Sequence, residues 1–327
     1  MGRVTRMTQT TEGTSVAVDP ADLDPEALAD LVATLPGWPW AGGRVRLTRI
    51  SSGLTNVNWR MTDAAGTDHF LKVPGRGTRA YIDRAVASVA ASVAAANGVG
   101  PAVEYFDDVT GIEVTVFLDG YRSATPAELG TREGGVRLME LYRRLHAGAL
   151  LPVTKTIFDM IDEHLDQVAA SDRVLRRWQQ DVVDRWRTVQ DAYLDAGVEL
   201  VPGHNDMLPS NYMLKEGEEM QLIDYDYAAN TERAYEPGGI ITLYLVDDDV
   251  REAMLRAYYG SDVSERDRAR VRACGIATAV KWGLWGLVNA TVRPTEDFDF
   301  ERYGCMHLMH AAQLLRETDL AAMQRAL

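Results

Sequence analysis

The pattern of apolar and polar positions in the first third of the chain is that of short strands separated by turns. Apolar residues at helical spacing over 24–35 predict one short helix, which ends at Pro36-Gly37. Short apolar runs bounded by turn residues predict five strands, at residues 45–50, 57–61, 69–73, 102–106 and 112–118. An Ala-rich stretch over 81–97 predicts a helix between the third and fourth strands, closed by Gly98. These elements predict a small antiparallel sheet with one helix packed on it.

The pattern becomes helical beyond residues 119–120. Apolar spacing predicts helices near 133–148, 155–169 and 172–196, then a short polar, strand-like region over 199–226, and helices again to the end. The change from sheet to helix places a boundary at residues 118–121. We therefore predict an α+β protein with three parts: a flexible tail (1–21), an N-terminal lobe (22–118) and a mainly helical C-terminal lobe (119–327).

Composition and charge exclude several classes of function. The net charge of −14 repels polyanions, so we expect no nucleic acid partner. Cys274 and Cys305 are the two cysteines and lie in no metal-binding pattern, which argues against a zinc site or a disulfide framework. The sequence has neither a run of 18 apolar residues nor the apolar core of a signal peptide. We expect a cytoplasmic protein that does not enter a membrane.

The segment with the clearest chemistry lies within the strand-like region. His204-Asn205-Asp206 is followed by Asn211, and Asp224 comes at the end of a later apolar run. Phosphoryl transfer needs a carboxylate to orient and accept the proton of the attacking hydroxyl, and oxygen ligands for the Mg²⁺ that neutralises the phosphates. Asp206 would supply the first, and Asn211 and Asp224 the second. Aspartates are also common in turns, but this spacing to Asn211 favours catalysis.

Other residues of this segment have secondary interpretations. Protein kinases have an Arg and a Gly where this chain has Asn205 and Asp226, so the chain is not a protein kinase. We expect His204 to brace the loop through hydrogen bonds, because Asp206 already occupies the position of the base. Asp226 is either a metal ligand or a residue that supports one.

The motif resembles those of the aminoglycoside phosphotransferase and choline/ethanolamine kinase families of small-molecule kinases. Further segments agree, in order along nearly the whole chain from about residue 36: the Ser-Gly-Leu-Thr-Asn-Val-Asn loop at 52–58, Lys72 in a Phe-Leu-Lys-Val strand, the helix at 141–146, and the aromatic segments at 282–285 and 298–303. Each is weak alone, and together they identify the family.

The resemblance implies a two-lobe, protein-kinase-like fold with ATP between the lobes. ATP would meet a hinge at 116–119 and be covered by a loop that includes Ser52, Thr55 and Asn56, while Lys72 would contact its phosphates. Mg²⁺ would be held by Asn211 and Asp224. The resemblance also implies that Asp206 orients the hydroxyl of a small cationic amino alcohol, of the choline or ethanolamine type, for attack on the γ-phosphate.

Three aromatic residues have two open interpretations. Trp282 and Trp285 lie three residues apart on neighbouring parts of one helical face, as in an ordinary helix–helix contact. Together with Tyr303 they would equally form an aromatic wall for a cationic acceptor, since an ammonium group is attracted to an aromatic face.

The sequence also departs from the family at three positions. Ala87 stands where related kinases have a Glu that pairs with the strand lysine, Glu236 where choline kinases have an Asp, and Leu243 where they have a Glu. These differences suggest altered bracing of the catalytic loop and a less anionic acceptor pocket. Two alternatives therefore stay open: an antibiotic phosphotransferase of the aminoglycoside type, and a non-catalytic protein that binds nucleotide or a cation.

Overall fold

The computed structural model describes residues 19–50, 56–76, 78, 82–292 and 298–327. The tail predicted at 1–21 lies almost entirely outside these residues. A short 3-10 turn, Pro20–Asp22, leads into helix α1 (Pro25–Val32), which begins where predicted. The Asp24 carboxylate caps α1 by accepting a hydrogen bond from the backbone N–H of Ala27 (2.8 Å).

The first lobe is built on a five-stranded antiparallel sheet. Its strands are β1 (Arg46–Ile50), β2 (Asn56–Thr62), β3 (Asp68–Pro74), β4 (Val103–Phe106) and β5 (Glu113–Val116), in the spatial order β1-β2-β3-β5-β4. The register places Lys72 of β3 opposite Asn58 on one side and Glu113 on the other. Leu71 and Val73, which flank Lys72 on the opposite face of β3, are fully buried against the residues of α1. The lysine therefore points away from this core.

Helix α2 (Arg84–Ala96) connects the two lobes. It is capped by Asp83 and begins later than predicted; Tyr81 lies outside the described residues. Its buried alanines Ala90, Ala91 and Ala94 belong to the same core cluster as the helices of the C-terminal lobe, not to the core beneath the sheet. The Ala-rich sequence thus serves close packing between lobes as well as helix propensity.

The second lobe is mainly helical. Its helices are α3 (Pro126–Leu129), α4 (Arg132–His146), α5 (Ile157–Ala169), α6 (Arg177–Asp195), α7 (Tyr235–Leu243), α8 (Asp248–Tyr259), α9 (Glu265–Val292), α10 (Phe300–Glu317) and α11 (Leu320–Ala326). Helix α9 is buried along most of its 28 residues, and α5, α7 and α10 pack around it. This central position explains why its sequence lacks a clear polar face.

Two small sheets interrupt the helices near the predicted strand-like region. One contains β6 (Arg122–Ser123), β8 (Tyr212–Leu214) and β9 (Gln221–Leu222), and the other pairs β7 (Leu200–Gly203) with β10 (Ala229–Glu232). The expectation of only helices outside 199–226 was wrong for β6 and β10. A two-residue strand has no detectable periodicity, and all four residues of β10 are buried, so that strand shows no alternation.

The molecule has the predicted α+β fold: an antiparallel sheet in the N-terminal part and helices in the C-terminal part. Within the described part of the chain, no helix combines the length and the apolar character needed to cross a membrane.

Candidate active site

The candidate catalytic loop lies between β7 and β8. Asn205, just before Asp206, has the left-handed backbone angle φ = 65°, which Asn adopts more readily than most residues. Its side-chain amide donates to the carbonyl oxygen of Tyr227 (3.1 Å). His204 is fully buried and its Nε2 lies 2.9 Å from the carbonyl oxygen of Ile223, so it braces the loop as expected. These contacts fix the backbone around Asp206.

A buried carboxylate on α7 supports this loop through hydrogen bonds. Glu236, on α7 and fully buried, accepts hydrogen bonds at Oε1 from the backbone N–H groups of His204 (2.9 Å) and Asn205 (2.8 Å). Its Oε2 lies 2.5 Å from His146 Nε2, and the other ring nitrogen of His146 contacts the Tyr258 hydroxyl. The longer Glu236 thus still braces the loop, using the histidine that ends α4.

Asp206 and Asn211 are brought together by the 3-10 turn that follows the loop. The Asn211 side-chain amide donates to a carboxylate oxygen of Asp206 (3.0 Å) and to its backbone carbonyl oxygen (3.2 Å). Asp206 is only partly buried, while Asn211 is buried. With its N–H groups used in this way, the side-chain oxygen of Asn211 accepts only a long hydrogen bond from the Ser210 hydroxyl (3.5 Å) and can also bind a cation.

Asp224 follows β9 in a second left-handed backbone conformation, with φ = 67°. Its Oδ1 is buried and has no hydrogen-bond partner in the described part of the chain. Burial raises the pKa of Asp224, and the carboxylates of Asp226 and Asp206 raise it further, while Lys72 opposes them. A carboxylate oxygen buried without a partner is costly unless a cation is bound to it.

This donor set fits Mg²⁺ rather than a softer metal. No group of three or more His, Cys, Asp or Glu side chains that could hold a metal occurs in the ranges that the structure describes. One carboxylate and one amide oxygen, Asp224 and Asn211, are what a magnesium ion needs when it takes its other ligands from phosphates and water. The unpartnered Asp224 oxygen agrees with that use.

Lys72 is buried between two carboxylates. Its ammonium nitrogen lies 3.1 Å from Oδ1 of Asp226 and 3.4 Å from Oε1 of Glu113. Burial alone would lower the pKa of Lys72, but Glu113 and Asp226 outweigh it and raise the pKa above its ordinary value, so the lysine stays charged. Glu113, opposite Lys72 on the neighbouring strand, is the carboxylate partner that Ala87 cannot provide. Ala87 itself is buried on α2.

Asp226 gathers donors from three elements of the N-terminal lobe. Besides Lys72, its carboxylate accepts from the Arg84 guanidinium (2.8 Å) and from the Asn56 amide (2.8 Å). Although burial works in the opposite direction, Lys72 and Arg84 hold the pKa of Asp226 below its ordinary range. Asn56 is therefore brought to the candidate site, whereas Ser52 and Thr55 lie outside the described residues.

The three predicted aromatic residues form one cluster. The Trp285 ring meets Trp282 at 5.5 Å and Tyr303 at 5.7 Å between centroids, both edge to face. The ammonium nitrogen of Lys281 lies 3.3 Å from the Trp282 ring centroid. The cluster packs α9 against α10, and the Trp282 ring is in contact with a lysine of the chain itself; its use as a wall for a cationic acceptor stays a prediction.

Leu243, at the end of α7, lines a groove of about 930 Å³ together with Trp178 of α6 and His307 of α10. Its neighbour Tyr244 donates a hydrogen bond to the backbone carbonyl oxygen of Met207, next to Asp206 (3.0 Å). Leu243 thus lines this groove, and it is the residue after it that contacts the candidate catalytic loop.

Sequence reasoning missed three charged residues of this region: Arg84, Glu113 and Lys281. Each is buried and lies in an otherwise apolar or Ala-rich segment. A charge at a position whose neighbours predict burial is a usable signal, because an ionised group is rarely buried without a partner or a function.

Comparison with known proteins agrees with this geometry. The family model described as "Phosphotransferase enzyme family" matches residues 46–274. A choline/ethanolamine kinase family protein from Mesorhizobium loti is similar in structure, with a TM-score of 0.76 and 29% sequence identity over 92% of this chain and 97% of that one. No curated protein matches the chain significantly in sequence.

Two more distant structures share the fold. The choline kinase LicA from Streptococcus pneumoniae has a TM-score of 0.67 at 17% identity, covering 84% of this chain and 94% of that one. The macrolide 2'-phosphotransferase MphH from Brachybacterium faecium has a TM-score of 0.59 at 17% identity, covering 90% of this chain and 99% of that one. At these identities the likeness concerns the fold alone.

Proposed function

The chain belongs to the phosphotransferase enzyme family, and from this premise we propose that it transfers the γ-phosphate of ATP to the hydroxyl of a small amino alcohol of the choline or ethanolamine type. The observation that carries the proposal is the pair formed by Asp206 and Asn211, beside an Asp224 oxygen that has no partner among the described residues. The likeness to the M. loti choline/ethanolamine kinase family protein supports the acceptor class.

In this reaction Asp206 orients the acceptor hydroxyl and takes its proton. The hydroxyl oxygen forms a bond to the γ-phosphorus while the bond from that phosphorus to the bridging oxygen of ADP breaks, so the products are a phosphate monoester and ADP. The Asn211 amide holds the Asp206 carboxylate in place, which fixes the direction from which the hydroxyl attacks.

The phosphates would be held from both lobes. Lys72 would contact them, with Glu113 keeping the lysine charged and directed, and Asn56 would approach them from the start of β2. Asp224 and the side-chain oxygen of Asn211 would hold Mg²⁺, which neutralises phosphate charge when bound. ATP chemistry of this kind suits the cytoplasm, which is the compartment proposed.

One of the two observations that suggested a non-catalytic protein no longer supports that alternative. It was suggested by Ala87 and Leu243, but Lys72 has a carboxylate partner in Glu113 without any help from α2. The alternative of an antibiotic phosphotransferase is favoured by no feature of the described residues.

A coupled ADP-release assay with Mg-ATP and a panel of amino alcohols, neutral sugars and aminoglycosides tests the proposal. We expect turnover with at least one small amino alcohol and none above background without an acceptor. Asp224→Ala should weaken Mg-ATP binding in a thermal-shift titration, because it removes a ligand of the metal that bridges the phosphates. Turnover of aminoglycosides with every small amino alcohol inert would reject the acceptor class, and Mg-ATP binding without turnover of any acceptor would reject the kinase.

A further inference from the structure

Lys281 is a buried lysine that has no carboxylate partner among the described residues. It is 8% exposed, and within the described residues it forms no hydrogen bond or ion pair; its ammonium group contacts the Trp282 ring instead. A charged ammonium in such surroundings is expensive unless an anion compensates it. Burial accordingly lowers the pKa of Lys281 to about 7. An anion bound beside Lys281 would favour its protonated form, and no such anion is in contact with it among the described residues.

The position of Lys281 on α9 directs it towards the acceptor side of the candidate site. Thr278, one turn earlier, packs against Gly239 of α7 beside Met207, the residue after Asp206. Lys281 lies on this same helical face, and Trp285 lies one turn beyond it. Asp206 is the carboxylate that acts electrostatically on Lys281. The lysine thus lies within electrostatic reach of the proposed base and in contact with the aromatic cluster.

This arrangement argues against an acceptor that is only a cation. An ammonium group placed on the Trp282 face would meet the charge of Lys281, and Lys155 adds a further positive charge to the same surroundings. Trp285 and Tyr303 have no Lys or Arg of the described chain over their rings, although the Trp285 ring also meets Phe300 and the Tyr303 ring also meets His307. Lys281 therefore offers a position for an anion, and the partly exposed rings of Trp285 and Tyr303 lie nearby within the same aromatic cluster.

We propose that the acceptor is a small hydroxy amino acid, whose carboxylate binds Lys281 and whose ammonium group lies against Trp285 and Tyr303 while its hydroxyl reaches Asp206. This inference rests on the proposed function and narrows it, because such an acceptor is an amino alcohol that also carries a carboxylate.

Matched pairs of acceptors provide the test. L-serine is ethanolamine with a carboxylate added, and L-homoserine is 3-aminopropan-1-ol with a carboxylate added, so each pair isolates the predicted contact. With the full-length protein and saturating Mg-ATP, kcat/KM should be about 10- to 100-fold higher for at least one hydroxy amino acid than for its partner, the range expected of one charge-assisted hydrogen bond.

Variants then assign the preference to the lysine. Lys281→Met should remove it, mainly through KM, and Lys281→Arg should restore part of it. Arg272→Met is the matched control: it removes a cation from the same helix that contacts Thr318, away from the site, and should leave the preference unchanged. Thermal unfolding and Mg-ATP titration of each variant separate a binding effect from a folding defect.

The outcomes are distinct. If the amino alcohols without a carboxylate are turned over as well as their partners or better, the inference is overturned and the proposed function stands. The same holds if Lys281→Met is folded and keeps the preference of the wild type. If no member of either pair is phosphorylated although Mg-ATP binds, the small amino alcohol class falls, and this inference with it.

Discussion

Asp206 and Lys281 are two ionisable side chains of the candidate site, and their surroundings differ. Asp206 is partly exposed, and the Asn211 amide holds its carboxylate in one position, where it can take a proton from an acceptor hydroxyl. Lys281 is buried, and its ammonium group contacts the ring of Trp282. Asp206 is placed to accept a proton, and Lys281 is placed to bind an anion. A separate prediction follows for each residue.

For Asp206, we expect Asp206→Asn to lower kcat by about 10²- to 10⁴-fold, the usual contribution of a positioned general base. The substitution keeps the shape of the side chain, so folding and Mg-ATP affinity should not change. Steady-state ADP release and a thermal-shift titration with Mg-ATP measure the two effects. Asp191→Asn, on an exposed face of α6, is the control for a change of charge alone. Wild-type turnover in Asp206→Asn would remove this residue from the role of base.

For Lys281, we expect Lys281→Met to raise the free energy of unfolding, with a gain that depends on pH. The pKa of Lys281 is lowered from 10.5 to about 7, so between these values the unfolded chain binds the proton and the folded protein does not. The stability of the wild type therefore rises with pH across this window. Charged and titratable groups that interact with it lie on four segments: Asp206, Lys155, His164 and His307.

The gain from Lys281→Met should accordingly be largest below about pH 7 and should shrink as the pH approaches 10.5. Urea unfolding of both proteins at pH 6, 8 and 10 measures it, and taking the difference between the two proteins cancels the other titrating groups. A constant difference at all three values would mean that the lysine keeps an ordinary pKa and is compensated within the fold.

At the scale of elements, the sequence predicted the strands of the five-stranded sheet, most helices and the candidate catalytic loop because their signals are local. The spacing from Asp206 to Asn211 is a property of one loop, and apolar alternation is a property of one strand. It did not predict β10, whose four buried residues Ala229–Glu232 are a strand only because β7 lies beside them. The cross-strand pair of Lys72 and Glu113 depends in the same way on register, which joins residues far apart in the chain.

The link between α7 and the catalytic loop gives a prediction at this scale. Glu236→Ala would leave the backbone N–H groups of His204 and Asn205 buried without an acceptor and His146 without its carboxylate. We expect a loss of about 3–5 kcal/mol in the free energy of unfolding, with a lower kcat because Asp206 loses its fixed position. Urea unfolding and ADP release measure both effects.

Glu236→Asp is the second variant for this link, since it keeps the charge but shortens the reach. It should recover part of the stability lost in Glu236→Ala and part of the activity. If Glu236→Ala were as stable as the wild type, the loop would be held by other contacts and Glu236 would have no bracing role.

At the scale of the whole molecule, the two lobes are joined by packing and by charge. The buried alanines of α2 share a core with the C-terminal lobe, and the Val99 carbonyl oxygen accepts a hydrogen bond from the backbone N–H of Leu222 in β9 (2.8 Å). Gly100 lies so close to β9 that an added Cβ would stand 2.8 Å from the Leu222 carbonyl oxygen. These contacts join the two lobes, although the sequence pattern places a boundary between them at 118–121. The pattern did not predict the junction, because it does not show which core the second face of α2 enters.

Charge adds to this junction at Asp226, where the three donors of the N-terminal lobe converge. Of these, Arg84 has no part in the proposed binding of phosphate, and its removal leaves Lys72 and Asn56 to hold the carboxylate. We expect Arg84→Met to shift the lobes towards a more open arrangement by about tenfold in population, the effect of losing one charge-assisted hydrogen bond. Small-angle scattering without nucleotide should give a larger radius of gyration, and the amides of α2 should exchange faster with deuterium. Mg-ATP should reverse both changes, because the nucleotide joins the lobes itself.

Arg76→Met, which removes an exposed cation of the same lobe that pairs with Asp22, should change neither. Equal scattering and exchange in Arg84→Met and the wild type would mean that packing of α2 alone sets the closure and that the carboxylate of Asp226 serves only the phosphate site.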